Sequence, residues 1–516
     1  MTASARKMQN FQSDSTFFHR NRFLLIFLLI YLVLSVFLFD PKLFTGGDNA
    51  VYVNLAQAIA NGKGYRDLYL PDEPLHTHYP FGFPLLLSFF ILLFGPNTII
   101  LKLVMLLIGL GSVCFMYKTG ELLLKDRINI VMPYFVSLPV FIKYNHWILS
   151  EMPFLFFSLG ALYFFMKACE GKTIFYYISF IFATYSFFIR TAGITLIVSL
   201  MVFLILKRQY KCLIICLLIF LAVFIPWQIR MLSTSGSVTY IDQLLAMDPF
   251  DPALRRIGIL DFLARVCNNF IFYFFLIIPK AMLSVIQSKT LVSIIGFLFM
   301  PLIVIGFIIR MKRFSILELY FMLSLLLIFI WPQLWSSERY VFPIMPFILM
   351  YLFIALYWLS HKITLKFIVP GVVTVVVLLN IIAISIYSIG NVANNIDYIK
   401  GDKWAGYTPD FRHFFETIEW TKDNVPEGKI IMARKPEFVY LLAKHKSFIY
   451  PHTSDYYKLK DAVLRSDYII FDKFYIPGKV QHLLLPVIKH NPGMFEIVYE
   501  TRKPKFFVLK VLRETE

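Results

Sequence analysis

One carboxylate, Asp48, stands just past the first long apolar segment and follows two glycines, Gly46 and Gly47. A charged residue at the edge of a membrane segment is costly, and such residues usually carry a function. A carboxylate there can act as a general base toward a hydroxyl, anchor an acceptor or hold a metal ion. Asp48 could also be the N-cap of a helix that starts at Asn49, and the two roles are compatible.

A second carboxylate, Glu151, opens a later apolar segment, and Pro153 follows it. Two interpretations stay open for this residue. Glu151 is a second catalytic carboxylate, or it is an acid at a helix N-terminus, where the helix dipole favours negative charge and a proline is tolerated in the first turn.

Two arginines interrupt apolar sequence: Arg190 lies between two adjacent runs, and Arg339, followed by Tyr340, lies between two later ones. A guanidinium can donate two parallel hydrogen bonds to a phosphate, so both are candidates for binding a lipid phosphate, with Tyr340 beside them. The alternatives are structural. Arg190 could place its charge at the membrane interface, and Arg339 could form a surface pair with Glu338 while Tyr340 lies in an aromatic belt.

The first loop between apolar segments is basic and aromatic. Lys63 is a candidate for contact with a phosphate or a sugar, and His78 and Tyr52 are candidates for contact with a molecule that carries an acceptor hydroxyl. His76 and His78 are two residues apart and do not share a helix face, so they are not expected to form a metal site. We therefore predict that this pair of histidines forms no metal site.

The composition is that of a membrane protein. Of 516 residues, 58% are hydrophobic and only 16% are charged, against about a quarter charged in soluble proteins. The net charge of +18 comes from short basic clusters between apolar segments, which favours membrane topology over nucleic-acid binding. The five cysteines lie in or beside apolar sequence and are interpreted as small core residues: Cys114, Cys169, Cys212, Cys216 and Cys267.

Eleven apolar segments are predicted to span the membrane, and their positions are 23–39, 97–117, 128–143, 151–167, 174–189, 191–206, 212–228, 290–309, 314–332, 341–358 and 364–388. With the N-terminus in the cytoplasm, every cytoplasmic loop is basic, as the positive-inside rule requires. Segment 84–95 is about a dozen residues long and is predicted to lie at the interface. Segment 270–279, within the loop 229–289, is also too short to span. The alternative is that this stretch is part of a helical hairpin, which would change the span count by two and keep the orientation. The exact count around 84–95 and 262–289 therefore stays open, at about 11 and up to 12–13.

This topology collects carboxylates on the outer face of the membrane, and these are Asp48, Glu151, Asp242, Asp248, Asp251, Asp261 and Glu338. Arg190 and Arg339 fall on the same face, so we predict that Asp48, Glu151 and the two arginines line one cleft. No nucleotide is supplied on that side, so chemistry there needs a lipid-linked or exported donor.

The composition changes near residue 390, and residues 390–516 contain no spanning segment. Periodicity predicts helices at 410–424 and 437–443 and strands at 429–433, 467–471, 494–500 and 505–511. We therefore divide the chain into a cytoplasmic N-terminus (1–22), a transmembrane domain (23–389, with the long outer loops 40–96 and 229–289) and a small extracytoplasmic α/β domain (390–516).

Taken together, these motifs resemble the GT-C superfamily of polyprenyl-phosphate-sugar glycosyltransferases, and most closely its protein O-mannosyltransferase and lipid A aminoarabinose transferase group, which includes RgtA/B/C/D-like members. The resemblance rests on Gly47-Asp48 with Tyr52, on 78–84, on 150–153, on 190–193 and on 338–343. Phe81 stands where the family usually has a second proline, and Glu151 where mannosyltransferases have aspartate. The order and spacing of these motifs cover residues 23 to about 350.

The resemblance implies a polytopic α-helical membrane enzyme of the plasma (inner) membrane with an outer α/β domain. The donor would be a sugar on a polyprenyl monophosphate, and the acceptor a hydroxyl of a glycan, lipid or protein. Asp48 would act as base or acceptor anchor in one inverting displacement, with Arg190 and Arg339 offsetting the charge of the leaving phosphate. No cofactor is required, and a divalent cation stays open as an alternative.

Two other function classes compete with the enzyme. A transporter or flippase of lipid-linked sugars would need charged or broken helices near the middle of the membrane and an internal repeat, and neither is evident. A non-catalytic assembly protein would use its C-terminal domain as a docking module.

Overall fold

The structure is a computed structural model, and it describes residues 21–234, 240–248, 256–451, 453, 455–472, 474 and 480–513. The basic residues predicted to hold the N-terminus in the cytoplasm, Arg6, Lys7 and Arg20, lie outside these ranges. So do Asp251 of the second long loop and most of the predicted N-terminal domain 1–22.

Helices dominate the described part of the chain. In chain order they are α1 (Asn21–Phe37), α2 (Gly47–Ala60), α3 (Gly82–Phe94), α4 (Thr98–Leu124), α5 (Ile128–Val136), α6 (Pro139–Asn145), α7 (Glu151–Ala168), α8 (Ile174–Ile189), α9 (Ile194–Leu206), α10 (Tyr210–Leu232), α11 (Tyr240–Leu245), α12 (Ile259–Phe272), α13 (Ile278–Met282), α14 (Lys289–Met311), α15 (Ile316–Ile330), α16 (Glu338–Val341), α17 (Met345–Lys362), α18 (Ile368–Ile399), α19 (Pro409–Asn424), α20 (Pro436–Ala443), α21 (Tyr456–Leu464) and α22 (Val480–His490).

The strands all lie in the C-terminal region, and they are β1 (Ile431–Met432), β2 (Ser447–Phe448), β3 (Tyr468–Phe471), β4 (Phe495–Glu500) and β5 (Phe507–Val511). They form one sheet in the order β2-β1-β3-β5-β4. The first three strands are parallel, and β5 pairs antiparallel with both β3 and β4. The predicted small α/β region is therefore confirmed, while β2, α21 and α22 are additions that the sequence analysis did not contain.

The prediction of a polytopic α-helical membrane protein is confirmed. Among the described residues, six helices are long and apolar enough to cross a membrane. Five further apolar helices have 10–17 residues, and α3 is one of them, as expected for an interfacial segment. Four of those five, and α7, coincide with segments that were predicted to span.

The segment 259–282 differs from its prediction. The sequence pattern predicts only a short apolar stretch here, 270–279, whereas α12, a π-helical turn (Tyr273–Ile277) and α13 form one continuous helix of 24 residues. Its length alone would allow a crossing. The prediction that the apolar stretch here is too short to span is therefore wrong, because the helix that contains it is long and apolar enough to cross a membrane.

Backbone contacts divide the chain into two units. The described residues of the first are 21–39, 103–146 and 150–389, and they contain most of the apolar helices. Its helices pack closely where small residues meet: Ser179 donates to the Ala161 carbonyl (2.7 Å) between α7 and α8, and Gly306 of α14 lies against the backbone of Tyr351 in α17. Such close approach is typical of membrane helices, which associate by packing rather than by the hydrophobic effect.

Gly306→Ala is expected to destabilise the protein, because the added Cβ would overlap the Tyr351 carbonyl oxygen and that atom belongs to a helix backbone that cannot rotate away. Overpacking of this kind costs about 1–3 kcal/mol. Gly371→Ala in α18 is the matched control, because no atom lies within 4 Å of its added Cβ. Thermal unfolding in detergent should show a lower midpoint for Gly306→Ala alone. Equal midpoints for the two variants would contradict the close packing.

The second unit joins sequence from three places, residues 40–102, 147–149 and 390–513 in the described chain. Its core includes Ala50 of α2 together with Phe414, Phe415 and Ile418 of α19 and Phe438 of α20. The first loop and the C-terminal sheet region therefore share one hydrophobic core. The change of composition near residue 390 predicts instead that they belong to separate domains.

Candidate functional site

Two guanidinium groups share one buried carboxylate in the first unit. Arg190 Nη1 lies 2.7 Å and Arg339 Nε 2.5 Å from Glu151 Oε1. Arg190 also donates to Ser150 Oγ at 3.1 Å. Glu151 is fully buried, whereas the two arginine side chains stay 17% and 32% exposed. We call these residues, Ser150, Glu151, Arg190 and Arg339, the arginine cluster.

Local backbone structure explains why these side chains meet. Glu151 is the first residue of α7, and Arg190 directly follows the last residue of α8 in an extended conformation. A 3-10 turn (Thr191–Gly193) then starts α9. A Cβ at Gly193 would lie 2.7 Å from the Phe187 backbone, so glycine permits this tight reversal. The turn places the Arg190 guanidinium at the N-terminus of α7.

The contacts of the arginine cluster exclude one of the interpretations left open for its residues. Glu338 pairs with Lys143 at 2.8 Å, so the expected alternative of a Glu338–Arg339 surface pair is wrong. The Arg190 guanidinium also lies over the ring of Tyr340, 5.8 Å from its centroid. Two cations and one carboxylate leave a net positive charge, and that charge favours an anionic ligand.

A second cluster surrounds Asp48 in the second unit. The Tyr79 hydroxyl donates to Asp48 Oδ1 at 3.0 Å. The Tyr79 backbone N–H in turn donates to His76 Nε2 at 2.8 Å. Because Nε2 accepts, the ring proton is on Nδ1, which lies 2.8 Å from Asp67 Oδ1. This chain of hydrogen bonds fixes the position of Tyr79 beside Asp48.

The helix start corrects one expectation about Asp48. Helix α2 begins at Gly47, its N-cap is Gly46, and Asp48 lies in the first helical turn. Asp48 is therefore not the N-cap of a helix beginning at Asn49. Its charge is still favoured by the helix dipole. The Asn49 side chain fixes the turn by donating to the Phe44 carbonyl at 2.6 Å.

The remaining candidates of the first loop separate into two groups. Tyr52 and His78 both contact the ring of Tyr79, with centroids 4.8 and 4.5 Å away. They therefore flank the group that holds Asp48. Lys63 is exposed, and its positive charge helps to keep the pKa of Glu73 below its usual value, after the dominant hydrogen bond from Lys446.

The structure adds residues that the sequence analysis missed, namely Tyr79, Lys435 and Glu437. Glu437 lies in the first turn of α20, and its backbone carbonyl accepts a hydrogen bond from Asn54 of α2 at 2.9 Å. A Cβ at Gly47 would overlap Glu437 Oε1. Burial raises the pKa of Glu437 to about 7; Lys435 opposes this shift and Asp48 adds to it. The sequence signal that could have identified Lys435 and Glu437 is a predicted strand followed by two basic residues, a proline and an acid.

The stability of the Glu437→Gln variant relative to wild type is expected to increase as the pH rises. The pKa of this carboxyl is raised from its ordinary value of 4.5 to about 7 in the folded protein, so its stabilising contribution falls between these values and is lost above pH 7. The charged or titratable groups facing it are Asp48, Tyr69 and Lys435. One pKa unit is about 1.4 kcal/mol, so we expect the variant to gain at least about 1 kcal/mol on wild type between pH 5 and pH 8. The measurement is the thermal midpoint of both proteins at pH 5 and pH 8. The same difference in midpoint between variant and wild type at both pH values would refute this expectation.

Metal binding is not tested by the geometry. Within the part of the chain that the structure describes, no three His, Cys, Asp or Glu side chains come together in a metal-binding arrangement. The predictions that no metal is required and that Asp48 shares one cleft with the arginine cluster both stay predictions.

Comparison with known proteins gives one family match. The family model described as dolichyl-phosphate-mannose-protein mannosyltransferase matches residues 78–229, a range that contains His78, Glu151 and Arg190. No curated protein sequence matches the chain.

Solved structures match along nearly the whole chain. ArnT from Cupriavidus metallidurans in the apo state has a TM-score of 0.59 at 12% identity, covering 95% of this chain and 98% of ArnT. ArnT bound to undecaprenyl phosphate gives 0.54 at 12% identity over the same shares. The oligosaccharyltransferase of Archaeoglobus fulgidus gives 0.55 at 15% identity, covering 87% of this chain and 67% of the enzyme. At these identities the likeness concerns the fold.

Proposed function

We propose that this chain, which has the GT-C glycosyltransferase fold, transfers a sugar from a polyprenyl-phosphate carrier to an acceptor hydroxyl. The arginine cluster carries the proposal, because two guanidinium groups held on one buried carboxylate suit a lipid phosphate. A protein of the same fold, ArnT, binds undecaprenyl phosphate.

The arginine cluster would bind the donor phosphate and stabilise it as a leaving group. Charge accumulates on the phosphate oxygen as the bond to the anomeric carbon breaks, and preorganised cations stabilise that charge without reorganising. Glu151 makes ion pairs to both arginines, so we assign it a positioning role here rather than the catalytic role that the sequence also allowed. Tyr340 supports Arg190 through its ring, and Lys63 stays a candidate for the same phosphate.

Asp48 would accept the proton of the attacking hydroxyl. The acceptor oxygen forms a bond to the anomeric carbon as the bond from that carbon to the phosphate oxygen breaks, so the configuration inverts in one displacement. The proton goes to Asp48, and the electron pair leaves with the lipid phosphate. Tyr79 orients Asp48, and Tyr52 and His78 would contact the acceptor. No cofactor enters these steps, although a divalent cation is compatible with them.

We place this chemistry on the outer face of the plasma membrane, with the N-terminus in the cytoplasm. The support is the charge pattern of the loops together with the structure of the first unit. Glu151, Arg190 and Arg339 lie at helix ends that come together, as their predicted common face requires. The alternative function, a transporter of lipid-linked sugars, would need these charges in the middle of the membrane.

The test is transfer by the purified full-length chain in liposomes. The probes are undecaprenyl-phosphate mannose and undecaprenyl-phosphate arabinose, labelled in the sugar, with a bacterial envelope extract as acceptor. An enzyme should release unlabelled undecaprenyl phosphate and label the extract. If the label crosses the membrane while it is still attached to its lipid, the protein is a transporter and the proposal is overturned. The proposal is also overturned if the protein consumes neither labelled donor.

A further inference from the structure

The C-terminal sheet has an edge where a ligand site is expected. Strands β2, β1 and β3 are parallel, with β1 in the middle. The chain leaves β1 for β2 on one side and later returns to β3 on the other. In sheets of this kind, ligands bind beyond the carboxyl ends of the strands at the point where the connections diverge. Arg434, Lys435 and Glu437 follow β1, and Asp472 follows β3.

Two of these charged residues serve the sheet itself. Arg434 Nε lies 3.0 Å from Asp472 Oδ1, and both side chains are largely buried. Tyr450 follows β2, and its hydroxyl donates a hydrogen bond to the same carboxylate. This network joins the ends of the three parallel strands and leaves Lys435 and Glu437 as the charged groups beside it.

The Glu437 carboxyl is largely buried, and its backbone hydrogen bond is to its own N–H. The residue is 9% exposed, and among the described residues no other side chain forms a hydrogen bond or ion pair with its carboxylate oxygens. Its backbone is fixed by Asn54, and the absence of a side chain at Gly47 makes room for Oε1. A buried carboxyl with few hydrogen-bond partners costs free energy, so this position is costly for folding and is favourable for a ligand that can hydrogen-bond to the carboxyl.

Lys435 lies next to this carboxyl and is also positioned by its surroundings. Its ammonium lies 5.8 Å from the ring centroid of Phe411 and 5.9 Å from that of Phe438. Burial lowers the pKa of Lys435, while Glu437 and Asp48 oppose the shift. The Lys435 ammonium, the Glu437 carboxyl and the Asp48 carboxylate therefore offer donors and acceptors within electrostatic range of one another.

We propose that Glu437 and Lys435 form a subsite for the hydroxyl groups of a sugar ring beside Asp48. Sugar hydroxyls both donate and accept hydrogen bonds, so they can pair with the Lys435 ammonium and with the carboxyl groups of Glu437 and Asp48. An anionic ligand would instead be repelled by the two carboxyl groups. The subsite rests on the proposed function, and the sugar ring is that of the donor or that of a glycan acceptor. The C-terminal region then contributes substrate-binding residues to the Asp48 cluster.

The kinetic test compares wild type with Glu437→Gln and Lys435→Met, in the liposome assay above. Glu427→Gln is the control, because Glu427 is an exposed acid of the same region. Both site variants should raise KM for one substrate by about tenfold or more, as expected for a lost hydrogen bond to a charged group. A rise confined to the lipid-linked donor identifies the donor sugar, and a rise confined to the envelope extract identifies the acceptor. Unchanged KM values for both substrates would overturn the subsite.

A binding test separates this inference from the proposed function. Methyl α-D-mannopyranoside, methyl α-D-glucopyranoside and undecaprenyl phosphate are each titrated against the full-length protein, with the thermal midpoint as readout. At least one glycoside should raise the midpoint of wild type and Glu427→Gln but not of Glu437→Gln, while undecaprenyl phosphate acts equally on all three. If wild type transfers no sugar, the proposed function fails and the glycoside titration still decides the subsite. If transfer occurs but Glu437→Gln behaves as Glu427→Gln in both tests, only the subsite fails.

Discussion

Asp48→Asn is expected to lower the rate of sugar transfer by about 10²–10⁴-fold, the range that a general base contributes. Asparagine keeps the shape of the side chain and can still accept the hydrogen bond from Tyr79, but it cannot take a proton. The helix start at Gly47 and its N-cap at Gly46 do not involve the Asp48 side chain in capping, so folding should be kept. The measurement is single-turnover transfer with labelled undecaprenyl-phosphate sugar.

The matched control for Asp48 is Asp72→Asn, because Asp72 is an exposed acid of the same loop. It should transfer sugar like wild type. Carrier binding separates loss of the base from loss of the donor site: Asp48→Asn should bind undecaprenyl phosphate like wild type. Transfer at the wild-type rate by a folded Asp48→Asn protein would remove Asp48 from the chemistry.

Glu151→Gln is expected to weaken both donor binding and stability. The variant leaves two guanidinium groups facing a neutral amide in a buried position, and breaking a buried ion pair by removing one partner costs about 3–5 kcal/mol. The arginine side chains are 17% and 32% exposed, so water offsets part of this, and we expect about 2–3 kcal/mol. Donor KM should rise by about 10-fold or more, since the cations lose their fixed positions.

The control for Glu151 lies just beyond the other end of the same helix. Glu170 pairs with Lys167 at 2.9 Å and is 55% exposed, so Glu170→Gln should change stability by less than about 1 kcal/mol. A positioning role also predicts that Glu151→Asp recovers part of the donor KM, because a carboxylate is restored. A fall in kcat with donor KM unchanged would instead support a catalytic role for Glu151.

Particular residues show how far sequence patterns reach. Apolar periodicity located most of the membrane helices within a few residues, and basic loops predicted that the helix ends bearing Glu151, Arg190 and Arg339 face the same way. The contacts of Glu151 with both arginines agree with that prediction. The sequence pattern did not predict the long helix that starts with α12, because polar residues near its start interrupt the apolar pattern. In the structure these polar residues and the apolar stretch 270–279 belong to one continuous helix.

The sequence by itself determined the class of the molecule, because hydrophobicity, loop charge and local turns depend on neighbouring residues only. It also pointed to Asp48, Glu151, Arg190 and Arg339 as charges that need a reason to lie where they do. The tertiary structure alone decided their partners. Asn54 meets Glu437 across 383 positions of the chain, and Arg339 meets Glu151 across 188. Such pairings follow from how whole helices pack, and no local pattern encodes them.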